Sequence, residues 1–277
     1  MGQRITVVDA FTHVPFAGNP AAVCVLSEPT TDAWMLSVAR EMKHSETAFC
    51  IMRVDETVEL RWFAPGGEVG LCGHATLAAA HVLWEEGWLA PQKALRFSTR
   101  SGELTAMPLG RQIELDFPAR APSEAAAPPG LLEALGASPQ WVGRDADDYV
   151  LLLADEEAVK ACSPDFRALM AVDTRGVVIT ARSAQEDTDF VSRFFAPRWG
   201  IDEDPVTGSA HCALTPFWSE RLGKKRLSAR QISARGGELE LELASDRVKL
   251  RGICVTILRG NLTESPPRAS SWTREES

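Results

Sequence analysis

A chain of 277 residues with 45% hydrophobic and 24% charged side chains has the make-up of a globular protein of one large or two ordinary domains. Its formal net charge of −9 speaks against a general nucleic-acid or acidic-membrane surface. Met1-Gly2-Gln3-Arg4-Ile5 carries no signal-peptide core, no apolar run approaches a membrane span, and the six cysteines lack paired spacing, so a cytoplasmic protein with buried free thiols is expected.

In chain order, residues 5–9 and 21–26 read as short strands separated by the turn Gly18-Asn19-Pro20. No Gly-Lys-Ser/Thr follows that turn, so it is not a phosphate loop. Residues 32–43 put Trp34, Met35, Val38, Ala39 and Met42 on one helical stripe. Ser45-Glu46-Thr47 then breaks the pattern ahead of strands at 48–53 and 58–63. Residues 75–84 are apolar almost all round, the mark of a helix buried inside its domain. Strands follow at 95–99, 103–108 and 112–117, and the Ala- and Pro-rich stretch 119–130 reads as a linker. Beyond it, strands are expected at 149–153, 176–181, 189–195, 238–243 and 248–257, with a helix over 210–222 ended by Gly223. From 263 the composition turns polar around Pro266-Pro267, as in a frayed tail.

The chain repeats itself. Arg61-Trp62-Phe63-Ala64-Pro65 leads to Cys72-Gly73-His74-Ala75 and an apolar run ending at Gly87; Arg193-Phe194-Phe195-Ala196-Pro197 leads to Gly208-Ser209-Ala210 and a run ending at Gly223. Gly73 stands 29 residues before Gly102, and Gly208 stands 29 before Gly237, which places the two copies 135 residues apart. Two copies are too few for a solenoid, so two related halves are expected: 1–118, then 131–262 after the linker, with 263–277 as the tail and the chain's end able to return to the first half. The two helix starts are then candidates to face one another.

Those helix starts carry most of the chemistry. Glu203-Asp204-Pro205-Val206-Thr207-Gly208-Ser209-Ala210-His211-Cys212 holds two carboxylates, two hydroxyls, an imidazole and a thiol. Hydroxyls and free N–H groups at a helix N-terminus suit a carboxylate ligand. Glu46, between a helix and an apolar strand, suits general acid/base work, although a solvated boundary glutamate has the same look. Asp204 and His74 are further candidates, and Cys72 could be an activated thiol at a helix start. The repeat places Thr207 where the first copy has Cys72, and a threonine hydroxyl is too weak an acid to be the second partner of a two-thiol racemase. A zinc set of Cys72, His74, His211 and Cys212 is the rival reading, with poor ligand spacing. No Gly-x-Gly-x-x-Gly, Walker A or Gly-x-Ser-x-Gly pattern occurs, so no cofactor and no metal are expected.

Val8-Asp9-Ala10-Phe11, Gly18-Asn19-Pro20-Ala21-Ala22-Val23, Ser45-Glu46-Thr47-Ala48-Phe49, Leu71-Cys72-Gly73-His74-Ala75-Thr76, Glu203 to Ala210 and Arg235-Gly236-Gly237-Glu238-Leu239 together resemble the PhzF family of phenazine biosynthesis. The resemblance runs from about residue 5 to 261. It implies an α+β, diaminopimelate epimerase-like fold of two pseudo-symmetric halves, each a curved, mostly antiparallel sheet around a central helix. It also implies a cofactor-independent isomerase in which Glu46 shuttles a proton, with Asp204 and His74 beside it. Gly73, Gly208 and Ser209 would hold the substrate, with Asn19 and Thr207 completing that set. The diaminopimelate epimerases resemble the chain at Cys72-Gly73, but their second cysteine falls at Thr207 here. Many PhzF relatives are not phenazine enzymes, so the substrate does not carry over.

The sequence therefore reads as a cytoplasmic isomerase of a small carboxylate, a homodimer with no nucleic-acid or membrane partner. A one-base epimerase, a metal-assisted hydrolase and a catalytically silent interaction protein are the alternatives.

Overall fold

The computed structural model describes residues 2–90 and 93–269. By internal contacts the chain forms two compact units. The first comprises the described residues of Met1–Phe16, Pro20–Leu115 and Ile253–Ser277, and the second Ala17–Asn19 and Asp116–Gly252. The elements, in order, are β1 (Arg4–Ala10), β2 (Asn19–Leu26), α1 (Asp32–Met42), β3 (Glu46–Met52), β4 (Val58–Ala64), β5 (Gly67–Val69), α2 (Gly73–Glu85), β6 (Leu95–Thr99), β7 (Gly102–Leu109) and β8 (Gln112–Pro118). They continue with β9 (Ser123–Glu124), α3 (Leu131–Leu135), β10 (Trp141–Arg144), β11 (Asp148–Leu152), α4 (Glu156–Ala161), α5 (Phe166–Leu169), β12 (Gly176–Arg182), β13 (Phe190–Ala196), β14 (Ile201–Asp204), α6 (Gly208–Leu222), β15 (Arg226–Gln231), β16 (Gly237–Ala244), β17 (Arg247–Gly252) and β18 (Cys254–Asn261). The class is α+β.

The internal repeat reappears as strand pairing. In the first unit β2 runs parallel to β3, β3 antiparallel to β4, β4 antiparallel to the short β5 and parallel to β6, and β6 antiparallel to β7. In the second unit β11, β12, β13, β14, β15 and β16 repeat that order with the same sense at every step. The central helix of each copy lies between the short strand and the next parallel one, and each is buried along most of its length: α2 from Gly73 through Ala80, α6 at Ala210 through Thr215. A helix apolar on every side has no face to offer water, so the strands must surround it.

Each copy also carries the same ionic clasp. Arg61 on β4 grips Glu68 on β5 with two hydrogen bonds, Nε to Oε1 at 2.8 Å and Nη2 to Oε2 at 2.7 Å. Arg193 on β13 grips Glu203 on β14 in the same fork, at 2.7 and 2.9 Å. Each guanidinium also lies over a phenylalanine two residues on, Arg61 at 5.1 Å from the Phe63 ring and Arg193 at 5.0 Å from the Phe195 ring. Arg61 and Glu68 are largely shielded, with side chains 10% and 9% exposed. The planar fork explains why both positions are arginine rather than lysine.

Several stretches differ from the reading of the sequence alone. The run 248–257 is not one strand. It breaks at Ile253, whose carbonyl accepts from Thr12 N–H at 3.1 Å; β17 pairs with β16, and β18 pairs antiparallel with β1 from Ala10↔Cys254 to Arg4↔Asn261. Val248 and Leu250 alternate with Lys249 and Arg251 up to Gly252, and that glycine is the compositional trace of the break. Residues 119–130 are tied into the second unit: Ala119 N–H donates to Asp246 O, Arg120 N–H to Cys212 O, and β9 pairs with β10. Of the polar C-terminal stretch, Ala269 N–H donates to Pro29 O and Thr30 Oγ1 to Pro267 O, while 270–277 lie outside the described residues. No disulfide joins any of the six cysteines. No helix among the described residues is long and apolar enough to cross a membrane.

The clasp sets a stability expectation. Removing Arg61 leaves the shielded Glu68 with only the more exposed Arg100, whose Nη1 stands 2.6 Å from Glu68 Oε2, at a cost of about 1–3 kcal/mol. Arg61→Ala should lower the urea midpoint by a corresponding amount, and an unchanged midpoint would show that Arg100 alone satisfies Glu68.

Candidate active site

In the first unit the site residues meet where β3 begins and α2 begins. Glu46 opens β3, in register with Ala21 of the parallel β2, and its side chain is 14% exposed. Cys72 is extended (φ −144°, ψ 112°), so the chain enters α2 abruptly at Gly73, and the Cys72 side chain makes no capping hydrogen bond. The thiol donates instead to Glu46 Oε2 at 3.4 Å and lies 3.5 Å from His74 Nδ1. His74 Nε2 is 3.3 Å from the same carboxylate oxygen.

A His–Glu contact invites description as an ion pair, but burial argues otherwise. His74 is 3% exposed, and desolvation, with the His44 charge nearby, pushes its pKa from 6.5 down to about 3. Near neutral pH the imidazole is uncharged, so the contact is a hydrogen bond with Nε2–H donating to Glu46. Glu46 Oε2 thus receives two neutral donors, a thiol and an imidazole.

In the second unit the carboxylate is Asp204, the last residue of β14. Strand alternation sends Glu203 to the Arg193 clasp and Asp204 to the other face. Asp204 Oδ1 accepts from Asn19 Nδ2 at 2.8 Å and Oδ2 from Thr207 Oγ1 at 2.5 Å; Asn19 Nδ2 also donates to Val206 O at 2.8 Å. Threonine is a residue type that caps helices, yet Thr207 does not cap α6, because its hydroxyl is spent on Asp204. Both central helices therefore begin at a glycine without a side-chain cap.

Two residues that the sequence did not single out complete this arrangement. Gln231, buried at the end of β15, accepts from Thr207 N–H at 2.9 Å and donates to Asp204 O at 2.6 Å and Thr207 Oγ1 at 3.2 Å. It thereby fixes the loop between β14 and α6. Arg175 donates from Nη2 to Ser209 Oγ at 3.2 Å and from Nε to the buried Asp148 Oδ1 at 2.9 Å. An isolated glutamine in a strand and an arginine in a turn carry no motif, so only the fold reveals them.

The structure thus brings Glu46 and His74 together with Cys72, and Asn19, Asp204 and Thr207 together with Gln231. Gly73 and Gly208 are the first helical residues, and Ser209 meets Arg175. The rival zinc set loses His211. Its Nδ1–H donates to Thr207 O at 2.8 Å, its Nε2 lies 3.5 Å from Ser192 Oγ, and the ring stacks on Phe190. Burial pushes its pKa down to about 4 and pushes the neighbouring Cys212 thiol up to about 12. Both ring nitrogens already serve the fold.

These features agree with what the chain resembles. It matches the family model of phenazine biosynthesis-like proteins, PhzC-PhzF, over residues 8–260. It is 49% identical, over 263 residues, to an uncharacterized isomerase of Halalkalibacterium halodurans, covering 95% of this chain and 99% of that one. The crystal structure of a PhzF-family phenazine biosynthesis protein from Enterococcus faecalis matches with a TM-score of 0.89 at 40% identity, over 95% of this chain and 100% of the other. A hydroxyproline epimerase from Agrobacterium vitis, at 13% identity and a TM-score of 0.60 over 93% and 91%, shares the fold alone. The duplicated α+β architecture is thus the diaminopimelate and proline epimerase type, and the chain belongs to the PhzC-PhzF family of phenazine biosynthesis-like proteins, two bacterial relatives of which, at 49% and 50% identity, are named uncharacterized isomerases.

Proposed function

We propose that this protein is a cofactor-independent isomerase of a small carboxylate, with Glu46 taking a proton from one carbon and returning it to another. The observation that carries this reading is the setting of the Glu46 carboxylate. It is mostly shielded from water, oriented by a thiol and a neutral imidazole, and placed beside the uncapped start of a buried helix. The N–H groups of that start, at Gly73 and His74, suit a carboxylate on the substrate. Charge developing on that carboxylate as the carbon is deprotonated would be stabilised by fixed dipoles.

An oxygen of Glu46 accepts the proton from a carbon conjugated to the substrate's unsaturation, and the electron pair spreads over the conjugated system. The same carboxyl group then delivers the proton to the far carbon of that system, and the double bond moves. His74, being neutral, donates a hydrogen bond to Glu46 without fixing a full charge beside it, so the carboxyl can cycle between its two states. Asp204 is the second acid/base candidate, its carboxylate held by Asn19 and Thr207, with Gly208 and Ser209 offering donors to an anionic group. One working base on one face suits a proton shift better than inversion of a stereocentre, which is ordinarily served by an acid and a base on opposite faces. The position that answers Cys72 in the repeat is Thr207, whose hydroxyl is engaged with Asp204.

The test is solvent-deuterium incorporation across a panel of small unsaturated carboxylates and amino-acid derivatives. A shifted double bond marks the isomerase, and loss of optical activity without a shift marks a one-base epimerase. With a substrate in hand, Glu46→Gln should reduce exchange by about 10²–10⁴-fold while the protein stays folded. Full exchange by that variant would hand the role to Asp204 or Cys72.

A second expectation concerns pH. The folded pKa of His74 lies below its unfolded value, so the unfolded chain binds more protons between about 6.5 and about 3, and stability falls as pH drops through that window. Replacing His74 by Gln should flatten the dependence of the urea midpoint on pH between 7 and 4, leaving the His211 contribution, which has the same sign. An unchanged slope would mean that His74 is solvated enough to titrate normally.

A further inference from the structure

We infer that Glu46, Cys72 and His74 form a three-ligand site for a zinc-like divalent cation, and that such a cation inhibits the protein rather than serving it. The three side chains supply one carboxylate oxygen, one sulfur and one imidazole nitrogen, all ordinary zinc ligands. Their distances make the face of a tetrahedron. Metal–ligand bonds of about 2.3 Å to sulfur and about 2.0 Å to nitrogen and oxygen imply ligand separations of about 3.3 Å for O–N and about 3.5 Å for S–O and S–N. Glu46 Oε2 stands 3.3 Å from His74 Nε2 and 3.4 Å from Cys72 Sγ. Sγ is 4.0 Å from Nε2 and 3.5 Å from Nδ1 of the same ring. A small turn of the imidazole closes the last edge.

The sulfur approaches both the carboxylate and the imidazole, so the three donor atoms close a compact triangle. Cysteine and histidine also set the selectivity, since soft sulfur and imidazole favour zinc or cobalt over magnesium or calcium. Three protein ligands leave a fourth position for water or an anion, and the partly exposed Glu46 provides an approach. Binding replaces the Cys72 S–H bond by an S–metal bond with one proton leaving to solvent, and the His74 ring proton passes from Nε2 to Nδ1 so that the Nε2 lone pair faces the metal. It also takes the Glu46 lone pair that proton transfer would use. The binding rests on geometry; the inhibition rests on the acid/base role proposed for Glu46.

Chelator-treated full-length protein titrated with zinc chloride against a chromogenic chelator tests the site, with cobalt(II) as the spectroscopic probe and magnesium chloride as the comparator. The expected result is one zinc per chain, about one proton released, a thiolate-to-cobalt charge-transfer band, and no displacement by magnesium. Cys72→Ser and His74→Gln should each weaken zinc binding by at least the roughly 10–100-fold that even outer-shell changes cause. Stoichiometric uptake untouched by Cys72→Ser, or cobalt bound without a thiolate band, would overturn the assignment. Should Cys72→Ser fail to fold, the cobalt spectrum of the unaltered protein decides, because no other such cluster occurs among the described residues. Zinc bound as described with exchange activity unaffected would remove Glu46 from the mechanism and leave the metal site standing. Activity lost in Glu46→Gln with no zinc uptake would do the reverse.

Discussion

A helix with no polar face can be stable in water only if it is enclosed, and two such helices determine how this chain is built. Enclosing α2 and α6 demands strands on every side, which accounts for the same order of parallel and antiparallel pairing in both units. It also carries the helix N-termini inward, with N–H groups that have no intrahelical partner. Protein folds ordinarily meet this with a serine, threonine or aspartate cap worth about 1 kcal/mol. Neither Cys72 nor Thr207 provides one, although Thr207 has the hydroxyl to do it. Its diversion to Asp204 leaves both starts with donors that suit an anionic ligand. Local stability is forgone where binding is proposed, and the surrounding sheets supply the rigidity.

The two Arg–Glu clasps show how the frame is kept while the chemistry diverges. Each joins the long strand to the short strand that turns toward the helix start, and each shields its arginine over a phenylalanine. From that common base the first unit offers Cys72 and His74 to Glu46, whereas the second offers Thr207, Asn19 and Gln231 around Asp204. The carboxylates are held differently. Glu46 takes two weak neutral donors on one oxygen; Asp204 takes a short hydroxyl and an amide on separate oxygens. A thiol and a neutral imidazole bring no full charge to Glu46, which is the physical ground for preferring it as the shuttle.

The fold was largely legible because its main elements obey strong periodicities. The stripe of Trp34, Met35, Val38 and Ala39 gives α1, unbroken apolarity gives α2, and equal glycine spacing gives the repeat. Helices α3, α4 and α5 escaped notice, being four to six residues long, too short for a 3.6-residue period to show. The break at Ile253 is marked in the sequence only by Gly252 just before it. At the site, Glu46 was visible as a carboxylate where a helix pattern gives way to a strand, and Asp204 through its Pro- and Gly-marked loop. Gln231 and Arg175 were not, since their importance lies in partners 24 and 34 residues distant, Thr207 and Ser209. His211 misled in the opposite direction. Its place beside Cys212 looks like chemistry, but its nitrogens are committed to Thr207 and Ser192.

The Glu46 cluster also shows why a proton-transfer site and a metal site can be the same three residues. Side chains arranged to hand two protons to one carboxylate oxygen must converge on a small volume. Take those protons away, and the sulfur, the imidazole nitrogen and the oxygen present lone pairs to that same volume. What decides between the two uses is which cation occupies it. With a thiol proton and a ring proton in place, the carboxylate remains available to a carbon-bound hydrogen. With a single zinc ion in place, the thiol proton is expelled, the ring proton moves to the other imidazole nitrogen and the carboxylate is consumed in coordination. A neutral histidine is needed for both states, and the burial that holds His74 uncharged therefore permits the first and exposes the site to the second.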